Sequence, residues 1–363
     1  MAPEALSVRS WTGLEAPLGE KSVVAVEAAL AAFRAGRMVI VVDDEDRENE
    51  GDLTIAAQFS TAASINLMAR LARGLICISM EGEQLDRLGI PQMVAANSSH
   101  FDTPFAVSVD ARNGVTSGVS AADRARTVQT LINPATGPSD IAMPGHLFPL
   151  RARRGGVLER RGQTEAVVDL CRLAGLYPAA LLTEVMALDG TMARLPLLQR
   201  LSRRLGIPIV SVEQIRVYRL KHERLVQRGA ETVIPSVAGE WRAVAYTSSL
   251  DDDEHVAFVL GRLQAAAPIN VAVHSQDVIA EVLGGSLRAA LRRIERIGRG
   301  VVLYRIPRGP ALDTAAESLG PVQRQILADL GVSDYRQLQM TDGFEDDTLS
   351  PTHYARMEAD DWC

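Results

Sequence analysis

Aromatic residues are scarce in this chain: seven Phe, six Tyr and three Trp make up 4% of 363 residues, although 47% are hydrophobic. Its cores must therefore be packed mainly from Ala, Val, Leu and Ile. Cysteine is scarcer still. Cys77, Cys171 and Cys363 lie far apart, which excludes a disulfide framework and the paired spacing of a zinc site. No apolar run approaches the ~18 residues of a membrane span, and the first residues lack a signal-peptide core. The chain thus reads as soluble and cytoplasmic, with no membrane partner. A basic excess is missing too. With 38 Lys and Arg against 45 Asp and Glu, the net charge of −7 leaves no electrostatic footprint for nucleic acid. No internal repeat is evident, and the length favours two domains.

What the chain does have is a concentration of acid. Seven carboxylates and one arginine fall between Asp43 and Asp52. The apolar run Met38 to Val42 leads in, and Leu53 to Ala57 leads out, so the acids occupy a loop between two buried strands. A solvated acidic face is the ordinary reading of such a run. Here the flanking strands, the lone Arg47 and the pivot at Gly51 argue for a bound cation. Oxygen-only ligands suit a hard ion such as Mg2+ or Mn2+.

The chain then reads in order. Residues before 20 form a loose arm. Val23 to Arg34 is an Ala-rich helix stopped by Gly36. Thr61 to Leu71 is a helix capped by Ser60 or Thr61. Gly74 to Ser79 is a strand with Cys77 buried in it, and Phe105 to Asp110 is another. Ser120 and Asp123 have capping-box spacing, so a helix starts there, and its hydroxyls and N–H groups offer an anion site. Met143 to Leu150 is a Pro- and Gly-bounded turn presenting His146. A basic turn, Arg160 to Glu165, precedes a helix from Ala166 to Ala174. Ala179 to Val185 is an apolar strand in which Glu184 needs a partner or a task. Strand Ile207 to Val210 and helix Val212 to His222 close the unit. A charged stretch, Glu223 to Glu231, marks a boundary. Beyond it come a hairpin, Trp241–Ser249 and Glu254–Leu260, around Asp251 to Asp253, and a strand from Asn270 to His274. A helix from Ser286 to Ile297, a strand from Val301 to Tyr304 and a helix from Gln323 to Leu330 follow. The tail beyond Thr341 is expected to fray.

Asp43-Asp44-Glu45-Asp46-Arg47-Glu48-Asn49-Glu50-Gly51-Asp52-Leu53 resembles the signature of the 3,4-dihydroxy-2-butanone 4-phosphate synthase family. Further blocks occur in the family's order: Gly74-Leu75-Ile76-Cys77, Val119 to Ala125, Pro144-Gly145-His146, Gly155 to Leu158, Thr164-Glu165-Ala166 and Asp189 to Arg194. The resemblance covers about residues 20–222. It implies an α+β fold, here a mixed-sheet α/β sandwich, and a homodimer. The implied reaction converts ribulose 5-phosphate to formate and the four-carbon precursor of riboflavin, with Mg2+ or Mn2+ and no zinc. On the family pattern Glu48 and Gln163 hold the metal. Arg47, Glu48, Asp52, Arg160, Thr164 and Glu184 bind substrate, and His146, Glu184 and Asp52 are catalytic. Two departures stand out: Gln163 replaces the family's histidine ligand, and Met143 replaces an arginine. Gln163 keeps open a non-catalytic homologue that binds a sugar phosphate for regulation or assembly.

The second domain, from 223 to 363, is smaller and resembles GTP cyclohydrolase II. Val273 to Gln276, Gly284 to Arg288, Gly298 to Val302 and Ile326 to Val332 carry the likeness. Where that family's three zinc cysteines are due, this chain has Asp277 and Ala289-Ala290-Leu291, and its later Gly-Arg-Gly turn is Arg305 to Gly309. The expectation is a retained scaffold without the reaction, in which His274 and Asp277 are relics.

Overall fold

The computed structural model describes residues 20–236, 239–250, 252–264, 267–276, 286–308, 319–338 and 354–356. The N-terminal arm, Asp251, Asp277, Gly284, Gly285, Gly309, Cys363 and the tail other than 354–356 lie outside them. The chain divides into two compact units, Met1–Arg219 and Leu220–Cys363, each built on a mixed seven-stranded sheet.

In the first unit, α1 (Glu20–Arg34) leads to β1 (Val39–Val42), the acidic loop and β2 (Gly51–Ala56). Then follow α2 (Ala62–Leu71), β3 (Cys77–Glu81), α3 (Gly82–Arg87), β4 (Val109–Ala111), α4 (Ala121–Leu131) and β5 (Ile141–Ala152). The unit ends with α5 (Gln163–Ala174), β6 (Ala179–Glu184), α6 (Leu195–Leu205), β7 (Ile209–Ser211) and α7 (Val212–His222). Spatially the strands run β4-β5-β3-β6-β2-β1-β7. Helices cover both faces. Ile40 and Val42 join Leu53, Ile65, Met68, Val128 and Leu198 in one core, while Val39 and Val41 join Leu30, Phe33, Val167, Leu170 and Ile215 in the other. Adjacent β1 residues thus face opposite layers, which explains an unbroken apolar run in a strand buried on both sides.

Local signals set several boundaries. Thr61 accepts from the Ser64 N–H at 3.2 Å as N-cap of α2. Gly175 closes α5 with φ of 72°, a left-handed position that glycine enters without strain. Three expectations change. First, the Pro- and Gly-rich stretch around His146 is part of a strand. The β4–β5 register jumps from Val109↔Leu147 to Asp110↔Ala142, so residues 143–146 bulge out of β5 and the ladder never needs the N–H that Pro144 lacks. Second, α5 begins three residues before Ala166, which places Gln163, Thr164 and Glu165 in its first turn. Third, the expected strand from Phe105 shrinks to Val109–Ala111, preceded by isolated bridges at Phe105 and Ala106.

In the second unit the strand order is β14-β13-β11-β12-β10-β9-β8. These are β8 (Val226–Ser236), β9 (Gly239–Ser248), β10 (Glu254–Leu260), β11 (Ile269–Ser275), β12 (Gly300–Ile306), β13 (Asp334–Leu338) and β14 (Tyr354–Arg356). The helix Ser286–Ile297, here α8, packs Ala290 and Ile294 against Trp241, Ala272 and Val302. The helix Pro321–Asp329, here α9, carries Gln325, whose side chain accepts from Leu225 N–H at 2.7 Å and donates to Glu223 O at 2.8 Å. Within the polar stretch Glu223 to Glu231, strand β8 begins at Val226, because its ladder to β9 satisfies the backbone whatever its side chains face. Tyr354–Arg356, inside the tail expected to fray, pairs with β13.

Candidate functional site

The hairpin of β1 and β2 fixes the acidic loop at both ends, with Val42 opposite Gly51. Within the loop one carboxylate organises the rest. Asp43 is buried and accepts from Glu48 N–H at 3.1 Å, Glu50 N–H at 2.8 Å and Arg47 Nη1 at 2.7 Å. Asn49 takes φ of 53°, a left-handed conformation that Asn tolerates better than most residues. Arg47 Nη1 also donates to Glu48 Oε2 at 3.0 Å and to Gln163 Oε1 at 2.8 Å. Its guanidinium lies 5.5 Å from the centre of the Phe101 ring, within cation–π range.

Asp52 and Glu184 are directly opposed across β2 and β6. Burial raises the carboxyl pKa of Asp52 well above its ordinary value, and the charges of Glu184 and Glu48 raise it further. Burial likewise raises Glu184, with Glu48 adding to the effect. Glu50 is pushed up to about 7 by burial and then by Glu48 and Glu184. These acids share one electrostatic neighbourhood. Glu184 also accepts from Leu75 N–H at 2.8 Å. A Cβ on Gly74 would collide with the Glu184 backbone oxygen and its carboxylate, so the close approach needs glycine there.

His146 lies towards the same end of the sheet. Cys77 on β3 is opposite Leu182 on β6 and Phe148 on β5. Glu184 and His146, each two residues along, therefore lie towards that end, on β6 and β5 with β3 between them. The bulge turns His146 towards Asp110: Nδ1 lies 2.8 Å from Asp110 Oδ2, and His146 N–H donates to Asp110 Oδ1 at 3.0 Å. Among the described residues no hydrogen bond or ion pair joins His146 to Glu48, Gln163 or Glu184. Gly118, at φ of 92°, is the only residue type its place admits, since a Cβ would overlap both Asp110 and His146.

The first turn of α5 completes the site. Gln163 and Thr164 are buried, and Glu165 is fully so. Glu165 accepts from Arg160 Nη1 at 2.7 Å and Arg153 N–H at 3.2 Å, while Arg160 Nη2 donates to Phe101 O at 2.9 Å. Behind it Asp169 accepts from Val157 N–H at 2.8 Å, Arg219 Nη1 at 2.8 Å and Arg172 Nη1 at 3.1 Å. Two buried acids one turn apart on α5 thus hold down the strap that carries Arg160.

The structure therefore brings Arg47, Glu48 and Gln163 into contact, and pairs Asp52 with Glu184. It sets Arg160 and Thr164 beside them on the strap and α5, and it holds His146 two strands away. The anion site expected at the start of α4 is already filled. Asp123 accepts from Thr116 N–H at 3.0 Å, Thr116 Oγ1 at 2.7 Å and Gly118 N–H at 3.1 Å, and only the Ser120 half of the capping box forms. Sequence reading missed Asp43, Phe101, Asp110 and Glu165. Asp110 carries the signal that singled out Glu184, an acid ending an apolar strand. A metal bound here would meet a carboxylate oxygen of Glu48 and an amide oxygen of Gln163. Both are hard donors, and both already face one cationic group, so the donor set fits Mg2+ or Mn2+.

Residues 27–218 match the family model of 3,4-dihydroxy-2-butanone 4-phosphate synthase, and residues 227–317 match that of GTP cyclohydrolase II. A 3,4-dihydroxy-2-butanone 4-phosphate synthase of Pseudomonas syringae pv. tomato is 43% identical, over 86% of this chain and 92% of that protein. The riboflavin biosynthesis protein RibBA of a Synechocystis strain is 50% identical over 77% of this chain, but the match spans only 52% of that protein. The two-domain synthase RibBX of A. baumannii superposes with a TM-score of 0.68 at 34% identity, covering 91% of this chain and 98% of that one. A single synthase crystallised with two magnesium ions gives a TM-score of 0.52 at 39% identity, covering 54% of this chain and 97% of its own. The chain belongs to the 3,4-dihydroxy-2-butanone 4-phosphate synthase family.

Proposed function

We propose that this member of the family converts D-ribulose 5-phosphate into L-3,4-dihydroxy-2-butanone 4-phosphate and formate, a step of riboflavin biosynthesis. The reading takes the first unit, with the helix that ends it, as the synthase domain, and the second as a cyclohydrolase II-like domain without that enzyme's chemistry. The observation that carries it is the convergence of Arg47 on Glu48 and Gln163 beside the opposed Asp52 and Glu184. A two-magnesium relative supports a divalent ion, Mg2+ or Mn2+, held by Glu48 and Gln163. Such an ion supplies Lewis-acid polarisation of the sugar's oxygens as charge develops on them.

The chain's own groups do the rest. Skeletal rearrangement and loss of a one-carbon acid require protons to move on and off several carbons and oxygens. Asp52 and Glu184, opposed across β2 and β6 and both raised by burial, suit proton transfer. His146, giving its Nδ1–H to Asp110, presents Nε2 as a base. Arg160, Thr164 and the N-terminal end of α5 suit the phosphate. Arg47 supplies a further cation for substrate oxygens. A homodimer is part of the same reading, and the exposed apolar Leu75, Val119 and Met143, near this end of the sheet, support it.

The test is formate release from ribulose 5-phosphate with Mg2+. Wild type is expected to turn over, and Glu48→Gln to lose at least ~100-fold; undiminished turnover in that variant ends the metal assignment. The second reading, a non-catalytic sugar-phosphate binder, draws on Gln163 being engaged by Arg47, and wild type that binds substrate without releasing formate would establish it.

A further inference from the structure

One nitrogen, Arg47 Nη1, accounts for three hydrogen bonds: to Asp43 Oδ2 at 2.7 Å, Glu48 Oε2 at 3.0 Å and Gln163 Oε1 at 2.8 Å. The last two oxygens come from residues 115 positions apart in sequence and are the pair to which the proposed function gives the metal. We infer that Arg47 is a resident cation in that place, and that a divalent ion binds only by displacing its guanidinium from Glu48 and Gln163.

Three features support the exchange. Oxygens that accept from one N–H-bearing nitrogen present their lone pairs to the same point, and two positive charges placed there within ~3 Å repel strongly. Gln163 is only 5% exposed, so its oxygen has little solvent to turn to and meets either the guanidinium or a metal. Arg47 has somewhere to go. Its side chain keeps 18% of its surface exposed, and Asp43, fully buried, remains a partner when the other two are given up.

Displacement also explains the value of glutamine here. A neutral amide oxygen accepts readily from a guanidinium, whereas an imidazole would have to present an unprotonated nitrogen to do so. Gln163 therefore strengthens the metal-free arrangement and weakens net metal affinity. It also leaves the loop ordered before any ion arrives. Once displaced, the Arg47 fork is free for an anionic oxygen of the substrate, so metal and substrate should each strengthen the other's binding.

This inference rests on the metal assignment above, and calorimetric titration of the metal-free protein with Mn2+ alone separates the two. Arg47→Met is expected to bind Mn2+ at least ~10-fold more tightly than wild type. Arg194→Met is the control for charge at a distance. That arginine donates to Glu48 O at 2.9 Å and to Asn49 O, but to neither proposed ligand oxygen; its loss should alter affinity less than ~3-fold. Phe101→Leu removes only the ring beneath the guanidinium and should tighten Mn2+ by ~2- to 5-fold, which keeps the test usable if Arg47→Met folds poorly. Equal tightening in the Arg47 and Arg194 variants, or none in Arg47→Met and Phe101→Leu while wild type binds, overturns the inference and spares the assignment. Absence of Mn2+ binding in wild type and every variant overturns the assignment and the inference together.

Discussion

The two units share a plan and differ in where their sheets are irregular. Each has seven strands in mixed order. In the second, β9, β10 and β12 run through seven consecutive pairs without a break, and the register shifts at its edge, between Arg228 and Glu231 of β8. In the first, β4 and β5 slip by a bulge beside His146, and an eight-residue loop parts β1 from β2. At the first unit's irregularities sit three buried carboxylates, Asp43, Asp52 and Asp110, all less than 9% exposed. The second unit does have a buried acid, Asp253, but it is matched by Arg305 and by Arg308 N–H. Its His274 stacks on Tyr304 at 5.7 Å between centroids. The comparison separates two tasks: apolar layers hold the sheet, and a handful of polar groups decides what can happen on it.

The sharpest way to break the comparison is at Gly156, where φ is 60° and a Cβ would overlap the Asp169 carboxylate. Gly156→Ala should lower stability by ~2–4 kcal/mol, read from the denaturation midpoint, since it adds backbone strain and disturbs a buried ion pair. A shift near zero would mean the strap does not depend on Asp169. Next comes Asp110→Asn, expected to cut formate release by roughly 10- to 100-fold with the fold intact by circular dichroism, through loss of the group that orients His146. Third, Tyr246→Phe in the second unit removes a hydroxyl that donates to Asp329 at 2.8 Å. It should cost ~1 kcal/mol and leave formate release unchanged; a drop in turnover would tie the second unit to the reaction.

The smallest effect concerns pH. Glu50, raised to about 7 from 4.5, favours its protonated form in the fold. Its contribution to stability is therefore complete below about 4.5 and lost as pH rises through about 7. Thermal midpoints of the metal-free protein should fall modestly between pH 5 and 8, and added Mg2+ should restore more at pH 8 than at pH 6. An equal Mg2+ effect at both would separate Glu50 from the cation.

Much of the first unit was legible because its signals are local. Thr61 caps, Gly36 stops, and β1 is apolar on both faces. The acidic loop was legible for the same reason, since its charges stand between two strands. What stayed hidden depends on partners distant in the chain. Asp110 matters because a bulge 36 residues later turns His146 onto it. Pro144 and Gly145 signal a break in a strand as strongly as they signal a turn, and composition does not separate the two. Gln163 was named from a likeness; that Arg47 reaches it across 116 residues is a fact of the fold.

The way Asp43 fastens the acidic loop has a consequence for variation. Hairpin tips ordinarily absorb insertions with little penalty. This one is a closed ring: a side chain at its first position grips the amides of the sixth and eighth, Glu48 and Glu50. Adding or deleting one residue between them moves the wrong amide under that grip and rotates Glu48 out of line. The segment should therefore tolerate exchange of its outward acids, Glu45 and Asp46, far better than any change in its length.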